Sequence, residues 1–276
     1  MNFSVIHLKD QFPNLCQEGQ DPTLQVYIPD GIEALGRGDE KRPSVLVCPG
    51  GGYRVCSQRE DEVIALQFAS KGFHAFLLRY TCAPACFPTQ IREVAAAMEL
   101  IYRYADEWHC DTEKIAIIGF SAGGHLAAHY STCYDCPEVR EVFPDSKPVN
   151  ASILCYPVIS AKPGQCHEQS IRNVSGSAEI TPEISEKFSL QNFVTDHTPP
   201  TFLWHTVEDS VVPVMNSLVY AQALEQHNVP FALHIYPYGS HGLSTVDDLT
   251  HNQPLDDRTS LCKNWLTMAI DWLRVY

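Results

Sequence analysis

Lys114-Ile-Ala-Ile-Ile-Gly-Phe-Ser-Ala-Gly-Gly-His125 is the stretch that decides how this chain folds. Ile115, Ala116, Ile117 and Ile118 are apolar without alternation, as a strand covered on both faces of a parallel sheet requires. Gly119-Phe120-Ser121-Ala122-Gly123 follows. In a G-x-S-x-G string the chain turns sharply from strand to helix, small residues relieve crowding at the turn, and the serine side chain stands clear above the sheet edge. Leu126, Ala127, Ala128 and Tyr130 then supply apolar residues at helical spacing. An ordinary glycine-rich turn shares the bare string, but the strand-turn-helix context makes Ser121 a candidate nucleophile.

Outward from this motif, short apolar runs alternate with helical patterns, the signature of a mostly parallel sheet wrapped by helices. Thr23 to Ile28 reads as a strand in an antiparallel N-terminal hairpin, and Ser44 to Cys48 as the next strand. Ser57-x-x-Glu60 reads as a capping box, with Asp61 and Glu62 adding negative charge at the start of a helix that runs to about Lys71 and stops at Gly72. The strand His74 to Tyr80 is followed by a Cys/Pro-rich loop. A long helix is then predicted from about Thr89 to Trp108, with Ile91, Val94, Ala95, Met98 and Ile101 on one face. Later strands are Ala151 to Tyr156, Thr201 to His205 and Phe231 to Tyr236, and an amphipathic helix from about Leu261 to Arg274 closes the chain. Residues 159–192 are polar and rich in Pro and Gly, so they read as a lid-like insertion over a single domain spanning 1–276.

With 276 residues, 45% of them hydrophobic, the chain can bury one large core. A formal net charge of −14 argues against nucleic acid or an anionic membrane as partner. The N-terminus lacks a basic segment followed by an apolar run, and no stretch approaches the roughly 20 apolar residues of a membrane span, so a soluble, cytoplasmic protein is expected. Eleven cysteines is an odd count, and Cys48 and Cys155 sit inside strand-like runs, which favours reduced thiols over a disulfide framework. Cys133-x-x-Cys136 and Cys82-x-x-x-Cys86 lie too far apart in sequence, with no third paired element, to support a zinc site, and no metal or cofactor is expected.

A serine hydroxyl needs a base to take its proton, and the base needs a carboxylate to hold its tautomer. On this architecture the partners follow in the order serine, acid, histidine, on loops after strands. Thr201 to His205 leads into Thr206-Val-Glu-Asp-Ser-Val-Val-Pro213, where Asp209 is the natural acid and Glu208 the fallback. Phe231 to Tyr236 leads into Pro237-Tyr-Gly-Ser-His-Gly242, where small neighbours let a loop carry His241 inward. Most of the other histidines fall in helices or strands, as surface or satisfied core residues. Pro49-Gly-Gly-Gly-Tyr53 follows the strand Val45 to Val47, so the N–H of Gly51 or Gly52, with that of Ala122, is assigned to an oxyanion hole. The alternative there is a flexible glycine turn without a ligand.

These residues resemble the α/β-hydrolase esterases, nearest to the acetyl xylan esterase-like and sugar-ester hydrolase branch. The resemblance runs from about Ser44 to the C-terminus. It rests on Pro49 to Tyr53, Arg59-Glu60, Leu78-Arg79-Tyr80, Gly119 to Ala127, Pro199 to Thr206 and Ser240-His241-Gly242. It implies an α/β-hydrolase fold: a mostly parallel, twisted sheet of about eight strands, helices on both faces, and catalytic residues at Ser121, Asp209 and His241. The substrate it implies is a small-molecule ester, an acetylated sugar or oligosaccharide. Pro49 stands where hormone-sensitive-lipase-like carboxylesterases carry histidine, and Phe120 where they often carry aspartate, which lowers that reading. Prolyl-oligopeptidase-type peptidases need a propeller domain for which 276 residues leave no room. Arg59 and Glu60 are pocket candidates, though the capping box favours a structural role for Glu60; Tyr53, Phe120 and Tyr156 are further candidates. A carboxylesterase or thioesterase for another ester, and a non-catalytic binding protein on the same fold, stay open at this point, as does a homo-oligomer.

Overall fold

The computed structural model of the chain describes residues 1–251 and 254–276. Its strands are β1 (Asn2–His7), β2 (Thr23–Ile28), β3 (Arg42–Cys48), β4 (His74–Arg79), β5 (Cys110–Phe120), β6 (Ala151–Cys155), β7 (Thr201–Thr206) and β8 (Phe231–Tyr236). Its helices are α1 (Leu8–Gln11), α2 (Glu62–Ala69), α3 (Thr89–Arg103), α4 (Ala122–Cys133), α5 (Pro137–Arg140), α6 (Glu168–Ser175), α7 (Pro182–Lys187), α8 (Met215–Gln226) and α9 (Trp265–Leu273).

The strands form one sheet of eight in the order β1-β2-β4-β3-β5-β6-β7-β8. β1 and β2 pair antiparallel, β2 joins β4 antiparallel, and every pairing from β4 to β8 is parallel. The alternating pleat explains why the runs Val45–Cys48, Ile115–Ile118 and Ile153–Cys155 of the central strands are apolar on every residue. Leu46, Ile117 and Leu154 enter a core packed by α3, α4 and α8, whereas Val45, Ile118 and Ile153 enter one packed by α2 and α9.

Several boundaries differ from the sequence expectation. Ser57 makes no capping bond; Gln58–Glu60 is a short 3-10 turn, and α2 starts only after Asp61, whose carboxylate accepts from the N–H of Glu62. The capping box is therefore absent, because Glu60 turns inward instead of back over the helix. α2 ends at Ala69, and α3 ends at Arg103 rather than Trp108. The C-terminal helix is shorter than expected too, a 3-10 turn at Thr259–Cys262 preceding α9. Residues 159–192 do follow β6 and hold α6, α7 and a 3-10 turn, yet they bury Ile159, Ile171, Val174, Phe188 and Leu190 against the main core. Their polar look reflects one solvent face. All eleven cysteines are free thiols, and among the described residues no three His, Cys, Asp or Glu gather as a metal would need. No helix among them is long and apolar enough to cross a membrane.

Candidate active site

β5 delivers Ser121 to the carboxyl edge of the sheet, where its N–H donates to the Cys155 carbonyl at 3.0 Å. The residue sits at φ 53° and ψ −116°, a region that side-chain-bearing residues avoid. Such strain persists only where the surroundings enforce it, here the strand before and α4 after. Gly123 is required by close approach: a Cβ there would lie 2.2 Å from the Cys48 carbonyl oxygen, at the end of β3.

His241 and Asp209 arrive on the loops after β8 and β7. His241 Nε2 lies 2.8 Å from Ser121 Oγ, and its Nδ1 lies 2.6 Å from Asp209 Oδ2. Because the carboxylate can only accept, the ring proton sits on Nδ1, and the Nε2 lone pair faces the serine hydroxyl. Asp209 Oδ1 also takes the N–H groups of Val211 and Val212, at 2.9 and 2.8 Å, and its side chain is buried. Burial alone would raise its pKa, but donors from His205 and His241 outweigh it and hold the carboxyl well below the usual range. It is thus a fixed negative charge at neutral pH. The sequence reading did not single out His205, a buried β7 residue 3.3 Å from the same carboxylate oxygen. Its Nδ1 meets Ser217 Oγ and its Nε2 the Val212 carbonyl, so it braces the turn that carries Asp209.

The glycine loop after β3 reaches the same point. Gly51 has φ +117°, open to glycine alone at no strain, and among the described residues neither its N–H nor that of Gly52 has a protein acceptor. Ala122 opens α4, so its N–H also lacks an intrahelical partner. The N–H of Gly50, by contrast, is committed to Glu60 Oε2 at 3.1 Å.

Glu60 is 3% exposed. Its Oε1 accepts from the Tyr156 hydroxyl at 2.7 Å, and that hydroxyl accepts from the Ser244 N–H at 3.0 Å. Burial, and then the Glu60 charge, push the Tyr156 phenol well above its ordinary pKa, so it stays a donor. The Tyr156 ring packs on His241 with centroids 5.1 Å apart. Glu60 and Tyr156 therefore tie the glycine loop to the histidine loop.

A cleft of about 490 Å³ opens over these groups, lined by Gly51, Gly52, Arg54, Arg59, Glu60, Ser121, His167, Gln169 and His241 among others. Three pocket candidates do not line it: Tyr156 is buried beneath it, bonded to Glu60 and packed on His241. Tyr53 is buried with its hydroxyl on His125 Nδ1 at 2.9 Å, and Phe120 sits in the core against Trp265. Each belongs to the packing beneath the cleft. His167 and Gln169, from the segment after β6, were missed; nothing in their local pattern marks them, and only the fold brings them to Ser121.

A sheet of this order, with a strained serine between β5 and α4 and its partners on the last two strand loops, has the α/β-hydrolase fold. Within that class the chain belongs to the BD-FAE family, whose model matches residues 24–224. It is 36% identical over 230 residues to endo-1,4-beta-xylanase B of Butyrivibrio fibrisolvens, an alignment covering 80% of this chain and 36% of that protein. With the acetylxylan esterase of Xylanibacter ruminicola it shares 31% identity over 228 residues, 81% of this chain and 45% of that one. The chain thus spans less than half the length of either relative. Among solved structures, the acetyl ester-xyloside bifunctional hydrolase from Caldicellulosiruptor lactoaceticus superposes with a TM-score of 0.82 at 34% identity, covering 99% of this chain and 96% of that one.

Proposed function

We propose that this chain is a serine esterase that removes short acyl groups, acetyl above all, from a sugar or xylo-oligosaccharide. The observation that carries the reading is the hydrogen-bonded run from Ser121 through His241 to Asp209, opening on the cleft. Ser121 attacks the ester carbonyl as His241 takes its proton, and Asp209 stabilises the imidazolium that results. The N–H groups of Gly51 or Gly52 and of Ala122 hold the oxyanion; that they have no competing protein acceptor among the described residues supports this assignment. His241 then protonates the departing alcohol, and water attacks the acyl-enzyme with the same base. The acetyl and sugar parts are supported by the named activities of the acetylxylan esterase and acetyl ester-xyloside hydrolase relatives, and by the polar residues around the cleft mouth.

The test is hydrolysis of p-nitrophenyl esters of increasing acyl length, beside acetate release from acetylated xylo-oligosaccharides, for wild type and Ser121→Ala. Fastest cleavage of acetyl esters, abolished in the variant, sustains the reading. Preference for long acyl chains would make it a general carboxylesterase, and inertness toward every ester would leave a binding protein on a hydrolase fold.

A further inference from the structure

His167 stands at the entrance to α6, half-buried on the cleft wall. Its Nδ1 lies 2.8 Å from the Ser170 hydroxyl, and Ser170 is fully buried with no other side-chain partner among the described residues. If Nδ1 carried the ring proton, the Ser170 proton would be buried with no acceptor, which folded proteins avoid. The serine therefore donates to Nδ1, and the ring proton sits on Nε2. Burial, and then the neighbouring His241, lower the His167 pKa, so the ring is neutral at neutral pH. Nε2 has no protein partner among the described residues, and the ring edge lies over the glycine loop: a Cβ on Gly52 would be 3.9 Å from His167 Cε1.

An acetyl group offers no acceptor beyond the carbonyl oxygen that the glycine loop receives. A further neutral donor beside that loop is useful only to the alcohol half of the ester. Resting on the esterase reading above, we infer that His167 is a specificity-determining residue whose Nε2–H donates to a hydroxyl or ring oxygen of the sugar that carries the acyl group. Ser170 holds the tautomer that makes the donation available.

The experiment compares kcat and KM of wild type, His167→Ala, His167→Gln and Ser170→Ala on an acetylated methyl xyloside and on p-nitrophenyl acetate, whose alcohol lacks hydroxyls. His167→Ala is expected to lower kcat/KM on the xyloside roughly 3- to 10-fold more than on p-nitrophenyl acetate, chiefly through KM, as for one neutral hydrogen bond. His167→Gln, which restores a donor, recovers part of the loss, and Ser170→Ala loses part of it. Equal losses on both substrates would place His167 at the reacting carbonyl or in the fold and overturn the inference alone. No loss on either would do the same. A wild type that cleaves p-nitrophenyl acetate and leaves acetylated xylosides intact would overturn the sugar reading and this inference together.

Discussion

Ser121 holds a backbone conformation that a Cβ resists, at φ 53° and ψ −116°, and this strain has a measurable signature. Ser121→Ala and Ser121→Gly both delete the hydroxyl, so both should lose at least about 10⁴-fold in kcat. They differ in strain. Glycine ordinarily destabilises relative to alanine, but here it relieves the strained φ, so Ser121→Gly should be the more stable of the two by about 1 kcal/mol. Urea unfolding of the pair decides the matter, and an alanine variant as stable as the glycine one would mean that the turn is not strained. Glu60 makes the complementary case. Glu60→Ala strands the buried donors of Gly50 and Tyr156, so a stability loss of about 2 to 4 kcal/mol is expected together with a fall in kcat. Glu60→Gln keeps the volume but sets an amide N–H₂ against one of those donors, and should lie between alanine and wild type in both readouts. Wild-type kcat in Glu60→Ala would show that the tie between the two loops does not position the site.

At the scale of elements, most of what was legible came from periodicity. Ile115–Ile118 of β5, Ile153–Cys155 of β6 and Phe202–Trp204 of β7 are apolar runs because both faces are covered there, and α3 buries the stripe that its spacing announced. Ser121, Asp209 and His241 were legible because each follows a strand on a loop of small or turn-forming residues. Glu60 was misread for an equally physical reason: a serine and a glutamate three apart match the capping pattern, and only the tertiary fold shows the carboxylate turned toward Gly50 and Tyr156. His167 carried no local signal at all, since α6 reaches the cleft through long-range packing of Ile171 and Val174. That packing includes a direct tie, from Asn173 Nδ2 to the Gly52 carbonyl at 2.7 Å. Asn173→Ala should loosen the glycine loop and lower kcat/KM on every ester alike, by roughly 3- to 10-fold for one hydrogen bond. The uniform loss separates this positioning effect from the substrate-selective one expected of His167. A variant with unaltered kinetics on all esters would show that the loop is held without α6.

For the molecule as a whole, pH acts on stability and activity through different histidines. His125 and His129 lie on α4, buried against Phe188 and Phe87. Burial lowers His125 to about 4, and burial followed by the charge of His125 lowers His129 to about 3. Both native values lie below the ordinary histidine value, so between that value and the native one the unfolded chain binds protons that the folded chain excludes. The stability is therefore fully present above about pH 6.5 and is lost progressively as the pH falls toward 4. The loss approaches 1.4 kcal/mol per pH unit for each histidine, as an upper bound of about that size. Asp209 adds nothing in this window, because its depressed pKa makes it matter only below the ordinary aspartate range. His74 acts in the same direction, and buried Glu93, raised to about 7, acts in the opposite one, so the comparison of two proteins isolates the helix: between pH 7.0 and 5.5, urea unfolding should show acidification costing His129→Leu less than wild type by up to about 1.4 kcal/mol, because the substitution removes one of the excluded protons. Acid acts on the proposed activity by a separate route, since in that mechanism His241 must be unprotonated to accept the serine proton. The two effects come apart on returning to pH 7: a protonated base recovers at once, whereas unfolded protein recovers only as it refolds. Equal pH dependence of stability in wild type and His129→Leu would show that this helix does not carry the acid sensitivity of the fold.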